Sequence, residues 1–313
     1  MNSILVPLDS SALAEQIMPY IRELAPLLSA SVRLLQVVPE PERDSMLADS
    51  ITGLYGMSEP PERYRERKQL ALEEARVHAE GYLAAQASRL LEDGLDVETE
   101  VRIGPVAENI IEVAAGRKPT LIAMVTHGYS GLRRWALGSV ADRVIQAAAA
   151  PVFLVRGAEK PLVRPFAIRR ILVPLDGSDI SRQALPLAAE LASCACAELS
   201  LLQAVAPAIE GYPSLLGQPT AQYGVVLSAL RDQAIHELEA IAGELRQQDV
   251  PVSTAVINGH AAETIVDEAT RRAASMIVMA THGRGGLRRW ALGSIADKVL
   301  HATTTPLVLV RAG

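Results

Sequence analysis

Along the chain, short apolar runs alternate with longer stretches whose apolar positions recur every three or four residues. Ile4–Leu8, Leu121–Val125 and Val152–Val155 are nearly unbroken apolar runs, the pattern of strands buried on both faces. Val32–Val38 and Val97–Ile103 read as two further strands. Between them, Ala12–Leu28, Arg63–Leu91, Pro105–Ala115 and Ser139–Ala148 carry helical patterns. Pro105 falls in a first turn, where its missing N–H leaves no bond unmade. Strands separated by helices predict a parallel sheet with right-handed crossovers, covered by helices on both faces.

The same order of elements recurs from Ile168 to Val310, and the residues repeat with it. Thr126–Val140 reads THGYSGLRRWALGSV and Thr281–Ile295 reads THGRGGLRRWALGSI, identical at 12 of 15 positions at an offset of 155. The starts, Ile4–Asp9 and Ile171–Asp176, match at an offset of 167, so the first copy carries about twelve extra residues. They lie between Pro39 and Leu72, a stretch rich in Pro, Glu and Arg that reads as a surface loop. The fold class expected is α/β: two tandem doubly wound, Rossmann-like domains, each a five-stranded parallel sheet. Their boundaries are read as 1–156 and 168–313, joined by a linker at 157–167 that holds Pro161 and Pro165.

A length of 313 residues suits two domains, and 49% apolar with 21% charged residues suits packed globular ones. Net charge is −6, without the basic excess that nucleic-acid binding favours. No apolar stretch is long enough to span a membrane, and the N-terminus has no signal-peptide pattern, so a cytoplasmic location is expected. Cys194 and Cys196, one residue apart, fit neither a redox CxxC nor a zinc site, and are expected to be small buried side chains. His78, His236, His260 and His301 lack metal-ligand spacing, and no metal site is assigned.

Doubly wound sheets bind ligands beyond the carboxyl ends of their strands, where the strand order reverses. That rule singles out the residues after the first and fourth strands: Asp9 and Asp176, and the two THG loops. Each loop ends in Gly-Ser at a helix start, Gly138-Ser139 and Gly293-Ser294. A helix N-terminus offers unpaired N–H donors and partial positive charge, which suits a phosphate, and glycine lets the backbone approach closely. Ser139 with Asp142, and Ser294 with Asp297, also have the spacing of a capping box. The GxxxxGK[ST] loop and a GxGxxG after the first strand are both missing, which argues against those nucleotide sites. Asp9 and Asp176 either touch a ligand or cap the following helix. His127 and His282 either contact phosphate or order the loop. The Arg133-Arg134-Trp135 and Arg288-Arg289-Trp290 triplets read as packing anchors with solvated charges. No catalytic residue is recognisable.

The whole arrangement resembles the universal stress protein family, whose ATP-binding members carry G-x-x-G, nine residues, then G-[ST]. The resemblance rests on the PLD starts, the strands ending LLQVV and LLQAV, the THG loops, the GS helix starts and the closing PVFLVR and PLVLVR strands. It implies an adenine-nucleotide site in each copy, for ATP with or without magnesium, or for ADP or AMP. In the first copy it implies Pro7, Leu8 and Asp9 near adenine and ribose, Val37 backbone at the adenine edge, and Met124 and Val125 in the base pocket. His127, Gly128, Gly138, Ser139 and Val140 would hold phosphates. In the second copy the corresponding residues are Pro174, Leu175, Asp176, Ala204, Met279, Ala280, His282, Gly283, Arg284, Gly293, Ser294 and Ile295. Both copies depart from the family pattern at its first glycine, which is Val125 and Ala280 here. Valine is the bulkier and stiffer replacement, and Arg284 has an uncharged counterpart in Tyr129. The second site is therefore expected to be the stronger.

The apolar closing strands, Val152–Val155 and Leu307–Val310, are expected at sheet edges, and the resemblance implies that they pair into an internal pseudo-dimer. A homodimer of the whole chain and an unknown protein partner remain open. The function expected is an ATP-binding stress-response sensor or regulator. A slow ATP hydrolase and a nucleotide-free dimerisation scaffold are the alternatives.

Overall fold

The computed structural model describes residues 2–40, 61–117, 121–126, 137–158, 166–205, 220–281 and 292–311. Ten strands run in chain order as β1 (Asn2–Leu8), β2 (Ala30–Val38), β3 (Val97–Ile103), β4 (Leu121–Thr126) and β5 (Val152–Arg156), then β6 (Arg170–Pro174), β7 (Glu198–Val205), β8 (Val252–Asn258), β9 (Met276–Ala280) and β10 (Leu307–Val310). They form one sheet in the order β3-β2-β1-β4-β5-β10-β9-β6-β7-β8. Each half is the expected doubly wound set of five parallel strands, with its order reversing between its first and fourth strands.

The halves join where β10 pairs antiparallel with β5, with Val308 opposite Phe153. Neither closing strand is left as an edge, which suits runs that are buried on both faces. The antiparallel joint also reverses the strand direction between halves. The carboxyl ends of the first half therefore lie at the opposite end of the sheet from those of the second.

One apolar core lies on each face, and each runs through both halves. The first contains Ile4, Val6, Leu34, Phe153, Ile171 and Val308, covered by the helices Met18–Leu27, Pro61–Glu92, Leu185–Cys194 and Thr220–Arg246. The second contains Leu5, Leu35, Leu154, Leu172, Ile277 and Leu309, under Val106–Arg117, Ser139–Ala147, Ala261–Arg271 and Ser294–Ala302. Tyr20 marks the joint on the first face. Its ring meets Phe153 edge-on at 5.7 Å and Phe166 at 4.6 Å, the two phenylalanines of the chain. Burial pushes its phenol up to about 12. On the other face, the Arg311 guanidinium donates to the Ala147 carbonyl at 2.8 Å, so a cation from the second half closes a helix end of the first.

Three local expectations change. Ala12–Leu28 is a single 3-10 turn, Ala14–Ile17, followed by a helix from Met18 to Leu27. Pro19 has no N–H to donate back into the preceding turn, which removes an α-helical bond where the 3-10 turn gives way to the helix, although Pro26 is accommodated further along the same helix. The helix expected over Arg63–Leu91 runs over 32 residues from Pro61 to Glu92, with Pro61 as its first residue, so the loop placed between Pro39 and Leu72 ends before Pro61; residues 41–60 lie outside the described residues. Cys194 and Cys196 are exposed rather than buried. Cys194 is the last helical residue, and Cys196 sits in the left-handed turn that follows, at φ 48°.

At the amino ends of the second half, polar groups form a network. Glu268 takes hydrogen bonds from Arg271 at 2.6 Å and Arg272 at 2.7 Å. Arg272 also reaches Ser200 at 3.2 Å, while Glu198 accepts from Arg170 and Ser253. The Arg271 bond, with Arg272 beside it, holds the Glu268 carboxyl down to about 2.

Phe153→Ala is expected to cost about 3–5 kcal/mol, because it empties the packed joint between halves; urea unfolding measures it. Glu268 should contribute stability above its ordinary pKa of 4.5 that fades as pH falls towards about 2. Urea midpoints between pH 2 and 6 should fall with acid less steeply in Glu268→Gln than in the parent chain.

Candidate functional site

The strand order reverses twice, at β1/β4 and at β6/β9, where Ile4 pairs with Leu121 and Ile171 with Met276. Beyond each carboxyl edge lie the residues that the sequence singles out. Pro7 and Leu8 end β1 and lead to Asp9; Pro174 ends β6 and leads to Leu175 and Asp176.

Asp9 does not cap the next helix. Its Oδ1 accepts the Ser11 N–H at 3.0 Å, closing a tight Asx turn, and Ser11 Oγ then accepts the Ala14 N–H at 3.0 Å. The second half repeats this. Asp176 Oδ1 accepts the Ser178 N–H at 3.0 Å, and Ser178 Oγ caps the following turn by accepting the Ser181 N–H at 3.1 Å. The serine two residues on thus accepts an N–H of the following turn in both halves, as the helix N-cap at Ser178 only, and the aspartate shapes the turn that leads to it. Ser11 and Ser178 were missed by motif reasoning, although the D-x-S spacing common to both copies carries the signal. Between aspartate and serine the backbone must be left-handed. Gly177 takes this without strain at φ 80°, whereas Ser10 does so at φ 63°. The Gln36 amide donates to Ser10 Oγ at 2.9 Å.

β4 and β9 contribute the other wall. Met124 and Met279 are buried on the second face, in one core with Val37. Val125 packs towards the first face and is half-buried, whereas Ala280 is buried. Ala204 is half-buried near the end of β7. Beyond them, the helices Ser139–Ala147 and Ser294–Ala302 begin at Gly138 and Gly293. Each glycine is the N-cap, at φ −61° and ψ 143–144°, and as a glycine makes no side-chain cap bond to its helix. The capping boxes expected at Ser139/Asp142 and Ser294/Asp297 therefore do not form, because each serine is already the first helical residue, one place too far along. Asp142 instead accepts from Gln146 at 2.9 Å.

Among the described residues, no side chain accepts from the first-turn N–H groups of either helix, around the exposed Ser139 and Ser294, with Val140 half-buried and Ile295 exposed beside them. In the second half, the Gly293 N–H also donates to the Thr281 carbonyl at 2.7 Å, which brings the ends of the loop together. Among the described residues, the first half has no equivalent bond. His127, Gly128, His282, Gly283, Arg284 and the two Arg-Arg-Trp triplets lie outside the described residues. A separate crevice of about 180 Å³, lined by Glu15, Arg22, Gln86 and Arg89, lies between helices of the first half. It is too small for a nucleotide.

The family model described as "Universal stress protein family" matches residues 1–156 and 167–311. A universal stress protein of Mycolicibacterium smegmatis is 27% identical over 311 residues, covering 98% of this chain and 96% of that protein. A universal stress protein of Mycobacterium tuberculosis is 29% identical over 219 residues, 69% of this chain and 70% of its own length. Among solved structures, a universal stress protein from Archaeoglobus fulgidus aligns over 100% of this chain and 99% of its own, with a TM-score of 0.70 at 19% identity, a likeness of fold. Among the described residues, no helix is long and apolar enough to cross a membrane.

Two substitutions separate backbone need from ligand need. Gly177→Ala forces a side chain into a left-handed turn and should cost about 1–2 kcal/mol. Gly293→Ala, at an angle open to any residue, should change stability by less than about 0.5 kcal/mol. Chemical denaturation of both variants checks the pair.

Proposed function

Because the chain belongs to the universal stress protein family, we propose that it binds an adenine nucleotide, ATP foremost, in each half and serves as a stress-response sensor or regulator in the cytoplasm. The observation that carries this reading is the helix start at Gly138 and at Gly293. Each is a set of donors capped by no described side chain, beyond the carboxyl edge of a sheet, beside an aspartate-held turn at the reversal of strand order. Such a helix end attracts an anion through its N–H groups and its dipole. Asp9 with Val37 and Met124, and Asp176 with Ala204 and Met279, supply a polar edge and an apolar wall for the base and ribose. Magnesium would arrive with the polyphosphate, since the described residues contain no cluster of three or more His, Cys, Asp or Glu able to hold a metal.

The sites open at opposite ends of the sheet, so one ligand cannot bridge them, and any coupling must pass through the β5–β10 joint. They are also unequal. The second half has Ala280 where the first has Val125, carries Arg284 where the first has Tyr129, and has the Gly293–Thr281 bond. A regulator needs nucleotide-dependent shape rather than turnover, and among the described residues neither site pairs two carboxylates for hydrolysis.

Isothermal titration of the full chain with ATP should give one tight site and a second that is at least about tenfold weaker, a gap of about 1.4 kcal/mol. Gly293→Val should remove the tight site and leave the unfolding midpoint nearly unchanged. Two equal tight sites would overturn the inequality, and absence of any binding would overturn the nucleotide reading itself.

A further inference from the structure

The chain has two cysteines, Cys194 and Cys196, and the fold accounts for neither. A free cysteine ordinarily behaves as a small buried hydrophobe, whereas both of these are exposed. Conformation does not call for them either. The helix Leu185–Cys194 ends at Cys194, Ala195 follows at φ −89° and ψ −1°, and Cys196 is left-handed at φ 48°. Helices commonly place glycine there, since a side chain raises the energy of that conformation. In the first half the equivalent residues, at the offset of 167, are Leu27 and Ser29. Ser29 makes the same left-handed turn at φ 47°, so the turn is common to both halves and the cysteines belong to one. Leu27 packs against the core, whereas Cys194 is exposed in its place.

The turn brings the two cysteines together. The Cys196 N–H donates to the Ser193 carbonyl at 3.2 Å and the Ala197 N–H to the Ala192 carbonyl at 2.8 Å, which fixes the chain through both residues. Consecutive Cα atoms are about 3.8 Å apart, and with Ala195 near helical angles the two links fold back rather than extend. The Cα atoms of Cys194 and Cys196 therefore fall within the roughly 4.4–6.8 Å that a disulfide spans. The place is remote from the candidate nucleotide site of this half: Cys196 precedes the amino end of β7, and Ala204 lies near its carboxyl end. Among the described residues, no cluster of three or more His, Cys, Asp or Glu could hold a metal there, so the chemistry on offer is that of two sulfurs.

We propose that Cys194 and Cys196 form a redox-modification site, a dithiol that a low-molecular-weight disulfide such as glutathione disulfide converts reversibly to an intramolecular disulfide. One protein thiolate attacks a sulfur of the small disulfide, whose S–S bond breaks and releases one small thiol. The neighbouring thiolate then attacks the protein sulfur of the mixed disulfide, and the second small thiol leaves. The protein gives up two electrons and two protons, and the small disulfide takes them up as two thiols. Exposure of both cysteines admits the oxidant, and the one-residue spacing holds the second thiol beside the first at high effective concentration. An exposed bridge that closes so small a ring is open to the reverse attack, which is the behaviour of labile, regulatory disulfides rather than structural ones. The site stands independently of nucleotide binding.

The test uses the reduced full chain, incubated under native conditions with glutathione disulfide, quenched with an alkylating agent and weighed intact. The parent chain should become lighter by two hydrogens, carry no glutathione, and return to its starting mass with excess glutathione. Peptide mapping should place the bridge between Cys194 and Cys196. Cys194→Ser and Cys196→Ser, each left with one thiol, should instead stop as stable mixed disulfides, one glutathione heavier. Should either variant not fold, the mass and the peptide map of the parent chain decide the matter. A parent chain that stops at one or two glutathione adducts, that links two copies through these residues, or that stays reduced in excess glutathione disulfide overturns the proposal. So does a bridge that forms only in urea, because it then belongs to the unfolded chain.

Discussion

The antiparallel pairing of β10 with β5 is the constraint on which the rest of the molecule depends. Val152–Val155 and Leu307–Val310 are apolar on both faces, so an unpaired edge there would expose backbone donors and acceptors within a greasy surface. Pairing the two strands removes both edges at once. It also merges two five-stranded sheets into one of ten, lets each apolar core continue across the joint, and packs Tyr20 between Phe153 and Phe166. Neither half has to finish its own core.

The same joint sets the geometry of function. Strand direction reverses across it, so the two carboxyl edges, with their aspartate turns and uncapped helix starts, face opposite ways. The chain is thus suited to hold two ligands independently. A signal between them would be a shift in the packing around Phe153 and Val308, or in Arg311 against the end of the Ser139–Ala147 helix. The halves agree closely at these edges and differ there at a few positions: Ser10 against Gly177, Val125 against Ala280, and, among the described residues, Gly293 tied to Thr281 without a counterpart. Selection on a tandem repeat can keep one scaffold and vary what its two ends bind.

Much of the fold was legible in residue order. The five strands of each half and the helix Ser139–Ala147 follow from apolar runs and from the repeat, and the pairing of closing strands was what the family resemblance implied. Three features were not. The break before Met18 depends on which backbone N–H is missing, a detail that apolar periodicity does not register. Exposure of Cys194 and Cys196 depends on which side of the helix end faces the sheet, which residue type alone does not register. The capping boxes had the right spacing but the wrong start, because Gly138 and Gly293 took the N-cap and moved each serine one place into the helix.

The candidate site divides along the same line. Sequence alone determined that two copies exist, that each places an aspartate after its first strand and a Gly-Ser after its fourth, and that the copies differ at Val125 and Ala280. These are local or repeated patterns, and they survive without coordinates. Only the tertiary structure decided that Asp9 and Asp176 shape turns rather than cap helices, that Gly138 and Gly293 take the N-cap positions, that the two carboxyl edges face apart, and that Gln36 and Gln203 bury their amide oxygens. Hydrogen-bond partners and burial are properties of what the fold brings together across long stretches of chain. A glutamine in a strand reads the same whether its amide meets water, a neighbour or nothing.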